Sequence, residues 1–179
     1  MEFKTFEELI RHVQSNGKKK RVAVAAAHDS HALEALILAD RDNIATPVLV
    51  GYKEQIRQLL EELGSDADAY EIYDTQSDKE SAEKTIELIK EGKADFIMKG
   101  KLQTADLLKA VVNKEKGLSK GKIMSHIAMH EVATYHKLLA VTDGGMMMYP
   151  DLHEKKQIIE NAVEVFNNIG YECPKVAQN

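Results

Sequence analysis

The feature that most constrains the fold of this chain is a regular alternation of short apolar runs with amphipathic segments, which continues to residue 112. Residues 22–27 form an apolar run without polar alternation, which is typical of a strand buried in a parallel sheet. The same pattern predicts further strands at 46–50, 70–73 and 96–98, and helices at 30–40, 53–63, 79–90 and 105–112. Strands and helices that alternate through short loops predict an α/β fold with a parallel sheet covered by helices.

The pattern changes after residue 112, where a second and smaller lobe is predicted. Residues 113–122 are polar and contain Gly117 and Gly121, so they are interpreted as the connection between two lobes. Beyond them the sequence predicts strands at 122–132 and 137–142, antiparallel because the turn between them is short, and a helix at 152–169.

Both ends of the chain carry signals of their own. Residues 3–14 space their apolar side chains like one face of a helix, with Thr5 as the expected N-cap and Glu8 completing a capping box. Residues 175–177 look like the start of another strand. The predicted domains are therefore a first α/β lobe at 1–115 and an incomplete second α/β lobe at 116–179, as expected for the N-terminal portion of a larger fold.

Charge and cysteine content exclude several classes of protein. The net charge is −5 with Lys and Arg spread along the chain, which argues against a broad nucleic-acid face. The single cysteine, Cys173, cannot form an intrachain disulfide and fits a reducing compartment. No apolar run approaches the roughly 20 residues of a membrane helix. We therefore expect a cytoplasmic protein that binds neither membranes nor nucleic acid.

The first candidate site lies where the fourth predicted strand runs into a helix, over residues 98–104. Gly100 allows close backbone approach, Lys99 and Lys101 add positive charge, and Thr104 is expected to cap the helix, whose first N–H groups favour an anion. The alternative is a plain strand-to-helix turn. It is not a Walker A loop, because Leu102 stands where Ser or Thr is required, and the first turn has no GxGxxG fingerprint.

The second candidate site follows the strand at 137–142. Asp143 precedes a glycine pair, where an acid could orient a ligand or accept a proton. Residues 146–148 are three methionines, which suit an acyl chain but equally suit core filling between lobes.

Histidines near predicted element ends suggest chemistry less strongly. Ser125, His126, His130 and Glu131 could be taken for a metal site or triad, but two histidines without a clear third ligand make a poor zinc site. His28 and His31, which flank Asp29 at the predicted start of the helix at 30–40, are interpreted as exposed polar residues near a cap.

From about residue 6 to residue 177 the sequence resembles the phosphate acetyltransferase and phosphate butyryltransferase family, more closely its butyryl branch. The motifs that carry the resemblance are VAVAAAHDSHALEAL (22–36), VLVG (48–51), GKADFIMKGKLQTADLLKAVVNKEKGL (92–118), SHIAMHE (125–131), LLAVTDGGMMMYPDL (138–152) and IIENAVEVFNNIGYECPKVA (158–177). The middle block, with its Met-Lys-Gly and Gln-Thr, is the most specific. The family often has Arg at Ser119 and Asn at Met147 of this chain.

The resemblance implies a fold like that of isocitrate and isopropylmalate dehydrogenases, with two α/β lobes around a cleft, usually paired as dimers. It implies the reaction of an acyl-CoA with phosphate to give an acyl-phosphate and CoA, with CoA as a substrate and no metal or other cofactor. It places two groups of substrate-binding residues in the cleft: Lys99, Gly100, Gln103 and Thr104 from the first lobe, and Ser125, His126 and Asp143 from the second.

The resemblance implies fewer catalytic residues than substrate-binding residues in this chain. His126 and Asp143 are the catalytic candidates present, while the residues the family uses for CoA contact and catalysis are expected beyond the equivalent of Ala177. The alternative is a non-catalytic paralogue that binds a phosphorylated ligand or only self-associates.

Overall fold

The computed structural model of the chain describes residues 2–15, 17–119 and 121–177. It contains two compact units. The sheet unit is Val13–Ser119, and the hairpin unit joins the residues up to His12 with those from Gly121 onward. The predicted boundary between lobes lies near the end of the sheet unit. The residues up to His12 group with the hairpin unit, however, whereas the sequence placed them in the first lobe.

The helices and strands follow the predicted order. The sheet unit contains β1 Lys20–Ala25, α2 Ser30–Arg41, β2 Ala45–Gly51, α3 Lys53–Glu62, a 3₁₀ turn Ala67–Ala69, β3 Glu71–Asp74, α4 Asp78–Lys90, β4 Phe96–Lys99 and α5 Thr104–Val111. Helix α1 is Phe6–Ser15, and the hairpin unit contains β5 Ala128–His130, β6 Leu139–Val141 and α6 Leu152–Asn168. The predicted parallel sheet with flanking helices is confirmed.

Four parallel strands form the sheet in the order β3-β2-β1-β4. The central strand β1 pairs on both sides, so that Ala23 lies opposite Val48 of β2 and Ile97 of β4. The chain moves outward from β1 to β3 and then returns past β1 to add β4. The order of strands therefore reverses between β1 and β4, and in open α/β sheets ligands bind outside the carboxyl ends of the strands at such a point.

Successive side chains of the central strands point to opposite faces of the sheet, and each face packs against its own set of helices. On one face Val24 and Leu49 pack with Leu33 of α2 and Ile56 of α3. The opposite face has two clusters. One packs residues of α4 and α5 around Ala25, and the other packs α4 against β2. The sequence predicted that these continuous apolar runs lie in strands covered on both faces. The clusters on the two faces confirm this prediction.

The hairpin unit is built on a short antiparallel pair and one long helix. Strands β5 and β6 pair over three residues each, so the predicted antiparallel arrangement is confirmed but the predicted length of 122–132 is wrong. The residues before β5 bond to side chains instead of a neighbouring strand: the N–H of Ile123 donates to Gln157 of α6 at 3.1 Å. Residues 175–177 also form no strand.

An aromatic cluster explains why the start of the chain belongs to the hairpin unit. Phe3 is buried against Tyr171 and Leu138, with its ring edge-on to Tyr171. Its backbone N–H donates to the Tyr171 hydroxyl at 3.2 Å, and its carbonyl accepts from the N–H of Leu138 at 3.0 Å. The capping of α1 matches the prediction at Thr5, whose hydroxyl accepts from the N–H of Glu8 at 3.2 Å. The Glu8 carboxylate accepts from the backbone N–H of Lys4, one residue before Thr5, at 2.7 Å.

Candidate functional site

The carboxyl ends of β1 and β4 meet at backbone distance. The N–H of Gly100 donates to the carbonyl of Ala25, and the N–H of Lys101 to that of Ala26, both at 2.8 Å. A Cβ at Gly100 would stand 2.2 Å from the Ala26 carbonyl oxygen. Glycine is therefore needed here so that the two strand ends can touch. The sequence interpreted the same glycine as a point of ligand approach or a helix cap.

Helix α5 begins beside this contact without a side-chain cap. Its N-cap is Gln103, whose side chain makes no capping hydrogen bond, and the predicted cap, Thr104, is instead the first helical residue. The prediction for Thr104 was wrong by one position, because Gln103 adopts the extended backbone conformation of a cap. No side chain among the described residues therefore accepts from the first N–H groups of α5, and the exposed Lys101 precedes them.

Lys99 is held by the turn that it begins. Its Nζ donates to the carbonyls of Gly100 and Leu102, each at 3.1 Å. These bonds stabilise the loop between β4 and α5. The Lys101 ammonium makes no hydrogen bond to the described residues, so of the two predicted cations it is the one available to a ligand at this turn.

His28 lies on the carboxyl edge next to β1 and is buried, with 7% of its surface exposed, although the sequence indicated an exposed position. Its ring packs on the ring of Tyr52 with 4.3 Å between centroids. The absence of a side chain at Gly51 makes room, since a Cβ there would stand 3.0 Å from His28 Nδ1. The neighbouring Asp29 does cap α2, accepting from the N–H of Ala32 at 2.9 Å.

The electrostatics of His28 favour the neutral ring. Nδ1 is buried without a hydrogen-bond partner among the described residues, and Nε2 lies 3.9 Å from a carboxylate oxygen of Asp78. Burial lowers the pKa of His28 below its ordinary value, the Asp78 carboxylate opposes that effect, and the Lys101 ammonium adds to it.

In the hairpin unit the carboxylate of Asp143 organises the loop that follows β6. Oδ1 accepts from the N–H groups of Gly145 at 2.9 Å and Met146 at 2.8 Å, and Oδ2 accepts from that of His126 at 3.2 Å. Burial works against ionisation, but these three donors outweigh it and lower the pKa of Asp143. A carboxylate in this state holds backbone well and accepts a proton poorly.

The predicted residues of the second group come together within the hairpin unit. The Thr142 hydroxyl donates to the carbonyl of His126 at 2.7 Å, which ties the loop after β6 to the segment before β5. Asn161 of α6 donates to the Ser125 hydroxyl at 3.0 Å and to the carbonyl of Ile123 at 3.1 Å. Ser125, His126 and Asp143 are therefore neighbours. Sequence reasoning missed Asn161, because a helical Asn carries no local sign of a distant partner.

Glu131 and the three methionines, which the sequence analysis also named, differ in their contacts and burial. The Glu131 carboxylate accepts from the N–H of Phe6 at 2.7 Å, so it caps α1. Met146 and Met147 are half-buried, whereas Met148 and Tyr149 are 86% and 91% exposed. Core filling therefore does not account for the end of this segment.

The two groups of candidate residues belong to different units. Lys99, Gly100, Gln103 and Thr104 lie in the sheet unit, and Ser125, His126 and Asp143 lie in the hairpin unit. That they face one cleft stays a prediction. The first group lies at the carboxyl end of β4 in the parallel sheet, where α/β proteins bind ligands.

Comparison with known proteins places the chain in a family. It matches the family described as Phosphate acetyl/butaryl transferase over residues 5–88 and 79–178, and it belongs to that family. It is 44% identical to a phosphate butyryltransferase of Clostridium acetobutylicum over 97% of this chain and 58% of the relative. It is 38% identical to a phosphate acetyltransferase of Thermotoga maritima over 91% of this chain and 55% of the relative. The predicted family is confirmed.

Solved structures show the same fold. A phosphotransacetylase from Streptococcus pyogenes superposes with a TM-score of 0.78 at 17% identity, covering 94% of this chain and 60% of the other. The chain thus spans somewhat more than half the length of the relatives it matches. Within residues 2–15, 17–119 and 121–177, no helix combines the length and apolar character needed to cross a membrane.

Proposed function

We propose that this chain carries phosphate-binding and cleft-lining parts of a phosphotransacylase, which converts an acyl-CoA and phosphate into an acyl-phosphate and CoA. The names of its relatives support the reaction class, and the higher identity to a butyryltransferase supports a short acyl chain such as butyryl.

The uncapped start of α5 at the switch point of the sheet is the observation that carries the proposal. In the described part of the chain its first N–H groups have no side-chain acceptor, the helix dipole favours negative charge there, and the exposed Lys101 adds a full positive charge. Phosphate fits this combination, because its oxygens accept from backbone N–H groups and its charge is opposite to that of the ammonium. Gln103 and Thr104 flank the same N–H groups and complete the site.

The reaction depends more on how phosphate and the thioester are positioned than on activation of either reactant. A phosphate oxygen attacks the thioester carbonyl carbon, a C–O bond forms, and the C–S bond breaks as CoA leaves as a thiolate. Phosphate must be held in line, and the oxyanion that develops on the carbonyl must be stabilised. The turn between β4 and α5 serves the first requirement. In the hairpin unit Ser125 and His126 are the candidates for the second.

Asp143 has a different part in this proposal. Three backbone donors occupy its carboxylate, so it is a positioning residue that sets the loop after β6 and the backbone of His126. His126 is exposed and is the catalytic candidate that remains free to donate or accept a proton.

A second function is binding without turnover. The observation that favours it is that Lys99 and Asp143 are both engaged by backbone groups of their own loops, in a chain that spans 58% of a butyryltransferase relative. A module of this kind would bind a phosphorylated ligand or associate with itself.

The experiment that separates the two functions is release of free thiol from butyryl-CoA, with phosphate present and with phosphate omitted. Thiol release that requires phosphate supports the transacylase, and acetyl-CoA in a parallel assay measures the acyl preference. Binding of phosphate without thiol release supports the binding module. Release that is independent of phosphate would contradict both.

The remaining features of the proposal concern the whole protein. We propose that CoA is a substrate and that no separate cofactor takes part, since a thioester is reactive enough without metal activation. A cytoplasmic homodimer and a likeness to the isocitrate and isopropylmalate dehydrogenase fold are part of the same proposal.

A further inference from the structure

Met148 is the one exposed methionine among the described residues, and no part of the proposed reaction uses it. It is 86% exposed. The other described methionines are half-buried: Met98, Met124, Met129, Met146 and Met147. Oxidation of a thioether requires contact between the oxidant and the sulfur atom, so exposure distinguishes Met148 from the rest of its type.

The neighbours of Met148 make it part of an apolar patch in the hairpin unit. Tyr149 is 91% exposed and Leu152 is 85% exposed, so three large apolar side chains reach solvent within five residues. Leu152 also lines an open depression of about 740 Å³ at the start of α6. A surface that carries projecting apolar side chains beside a depression can pair with a copy of itself across a two-fold axis.

The charges around the depression favour a second copy of this chain as the partner. Asp151 and Lys156, of opposite sign, both line it. In a two-fold pair, Lys156 of each copy can face Asp151 of the other, so the charges are self-complementary. The Lys156 ammonium lies 3.7 Å from the Glu160 carboxylate of its own helix, which is longer than a hydrogen bond, so it can still pair with another carboxylate.

We propose that Met148 is a site of oxidation by hydroperoxides, and that its oxidation weakens the association of two copies through this patch. One peroxide oxygen is transferred to the thioether sulfur: the O–O bond breaks, an S–O bond forms, and the proton of the transferred oxygen goes to the leaving oxygen. The sulfur gives up two electrons and the peroxide takes them up. The proposal extends the self-association considered above and does not depend on the transacylase reaction.

The sulfoxide opposes association because it is polar and lies within an apolar contact. Burying a polar group without a hydrogen bond is costly, and we expect the association constant to fall roughly tenfold. Linkage makes the effect reciprocal: if the sulfoxide weakens association, association must protect the thioether. Oxidation of Met148 should therefore slow as the chain concentration rises.

The test treats the full chain with limiting hydrogen peroxide at several concentrations below and above the onset of association in light scattering. Trypsin cleaves after Lys137 and Lys155 and so releases residues 138–155, in which tandem mass spectrometry locates the added oxygen. Oxygen should enter Met148 before the other methionines, and more slowly at high chain concentration. Met98, in the sheet unit, is the internal control whose oxidation rate should not depend on concentration.

Three variants separate the modification from its effect. Met148→Leu keeps an apolar side chain that cannot take up oxygen, and Met147→Leu is the matched control that retains Met148. Peroxide should weaken association roughly tenfold in wild type and Met147→Leu, and leave it unchanged in Met148→Leu. Met148→Gln should associate weakly without peroxide, because its side chain is polar and of similar length.

The results that overturn the proposal are distinguishable. Oxidation of the half-buried methionines as fast as Met148 would remove the modification site. A rate at Met148 that is independent of chain concentration, or unchanged association after oxidation, would remove its place in the contact between copies. A wild-type chain that stays monomeric at every concentration would do the same, and thiol release from butyryl-CoA would be unaffected by any of these outcomes.

Discussion

The ring of His28 and the carboxylate of Asp78 face each other at the carboxyl edge of the sheet, with 3.9 Å between Nε2 and Oδ1. This distance is too long for a hydrogen bond, so the carboxylate offsets only part of the cost of charging a buried ring. Folding therefore favours the neutral ring and lowers the pKa of His28.

A pH dependence of stability follows from this arrangement. The pKa of His28 is lowered in the folded chain from its ordinary value of 6.5, so below that value the unfolded chain binds more protons. The stabilisation is fully present above pH 6.5 and is lost progressively as the pH falls toward the folded value. Urea denaturation between about pH 5 and pH 8 should show this loss in wild type and in His31→Gln. A His28→Gln variant with the wild-type slope would contradict it.

Gly100→Ala should destabilise the sheet unit by about 3 kcal/mol, at the upper end for overpacking. The new Cβ would stand 2.2 Å from the carbonyl oxygen of Ala26, and only a shift of backbone can relieve that contact. Gly145→Ala is the control, because its Cβ would meet nothing within 4 Å. Equal midpoints of urea denaturation for the two variants would show that β1 and β4 tolerate separation at this point.

Asp143→Asn should loosen the loop after β6. The amide cannot accept from all three N–H groups that the carboxylate serves, and the expected cost is about 1–3 kcal/mol. Because the pKa of Asp143 is lowered from 3.8, its contribution is present above that pH and lost as the pH falls through the folded value.

Hydrogen exchange at the amides of Gly145 and Met146 measures the effect of Asp143→Asn directly. Both amides should exchange faster in the variant. Glu172→Gln, a charge removal at an exposed position of the same unit, should leave them unchanged. Unchanged exchange in Asp143→Asn would mean that other contacts hold this loop.

Phosphate binding should depend on both lysines of the turn between β4 and α5, for different reasons. Lys101→Gln removes a charge that is available to the ligand. Lys99→Ala removes the donor that holds the carbonyls of Gly100 and Leu102 and should weaken phosphate binding by about 1–3 kcal/mol. Lys109→Gln, at the far end of α5, is the control for calorimetry. Phosphate affinity that is unchanged in both Lys101→Gln and Lys99→Ala would refute the phosphate site.

The hairpin unit exposes apolar side chains that favour self-association. Met148, Tyr149 and Leu152 are 86%, 91% and 85% exposed within five residues of one another. Exposed apolar patches drive contacts between chains. Light scattering at micromolar concentration should therefore give a mass above the 20.0 kDa of one chain. The double variant Tyr149→Ser with Leu152→Gln should lower the mass, and Leu38→Gln in the sheet unit should not. A monomeric wild type would contradict this prediction.

Much of the candidate site was visible in the sequence as residue type and position. Lys99 ends β4, Gly100 and Lys101 follow it directly, and chain order alone placed all three at the carboxyl edge. The different roles of Lys99 and Lys101 could not be predicted from the sequence. Which lysine turns back onto the loop depends on carbonyl positions that only the folded turn defines.

Local pattern by itself determined the elements of the sheet unit, their order and the parallel sheet, because apolar runs without alternation between amphipathic helices leave few other folds. The family motifs also lie in continuous stretches of sequence. The tertiary structure decided which residues outside the strands and helices are buried. His28 became buried because Gly51 and Tyr52, more than twenty residues away, form the space for its ring. Phe3 joined the hairpin unit because Tyr171, at the other end of the chain, completes its cluster. Burial depends on contacts between distant residues, and a one-dimensional pattern does not contain them.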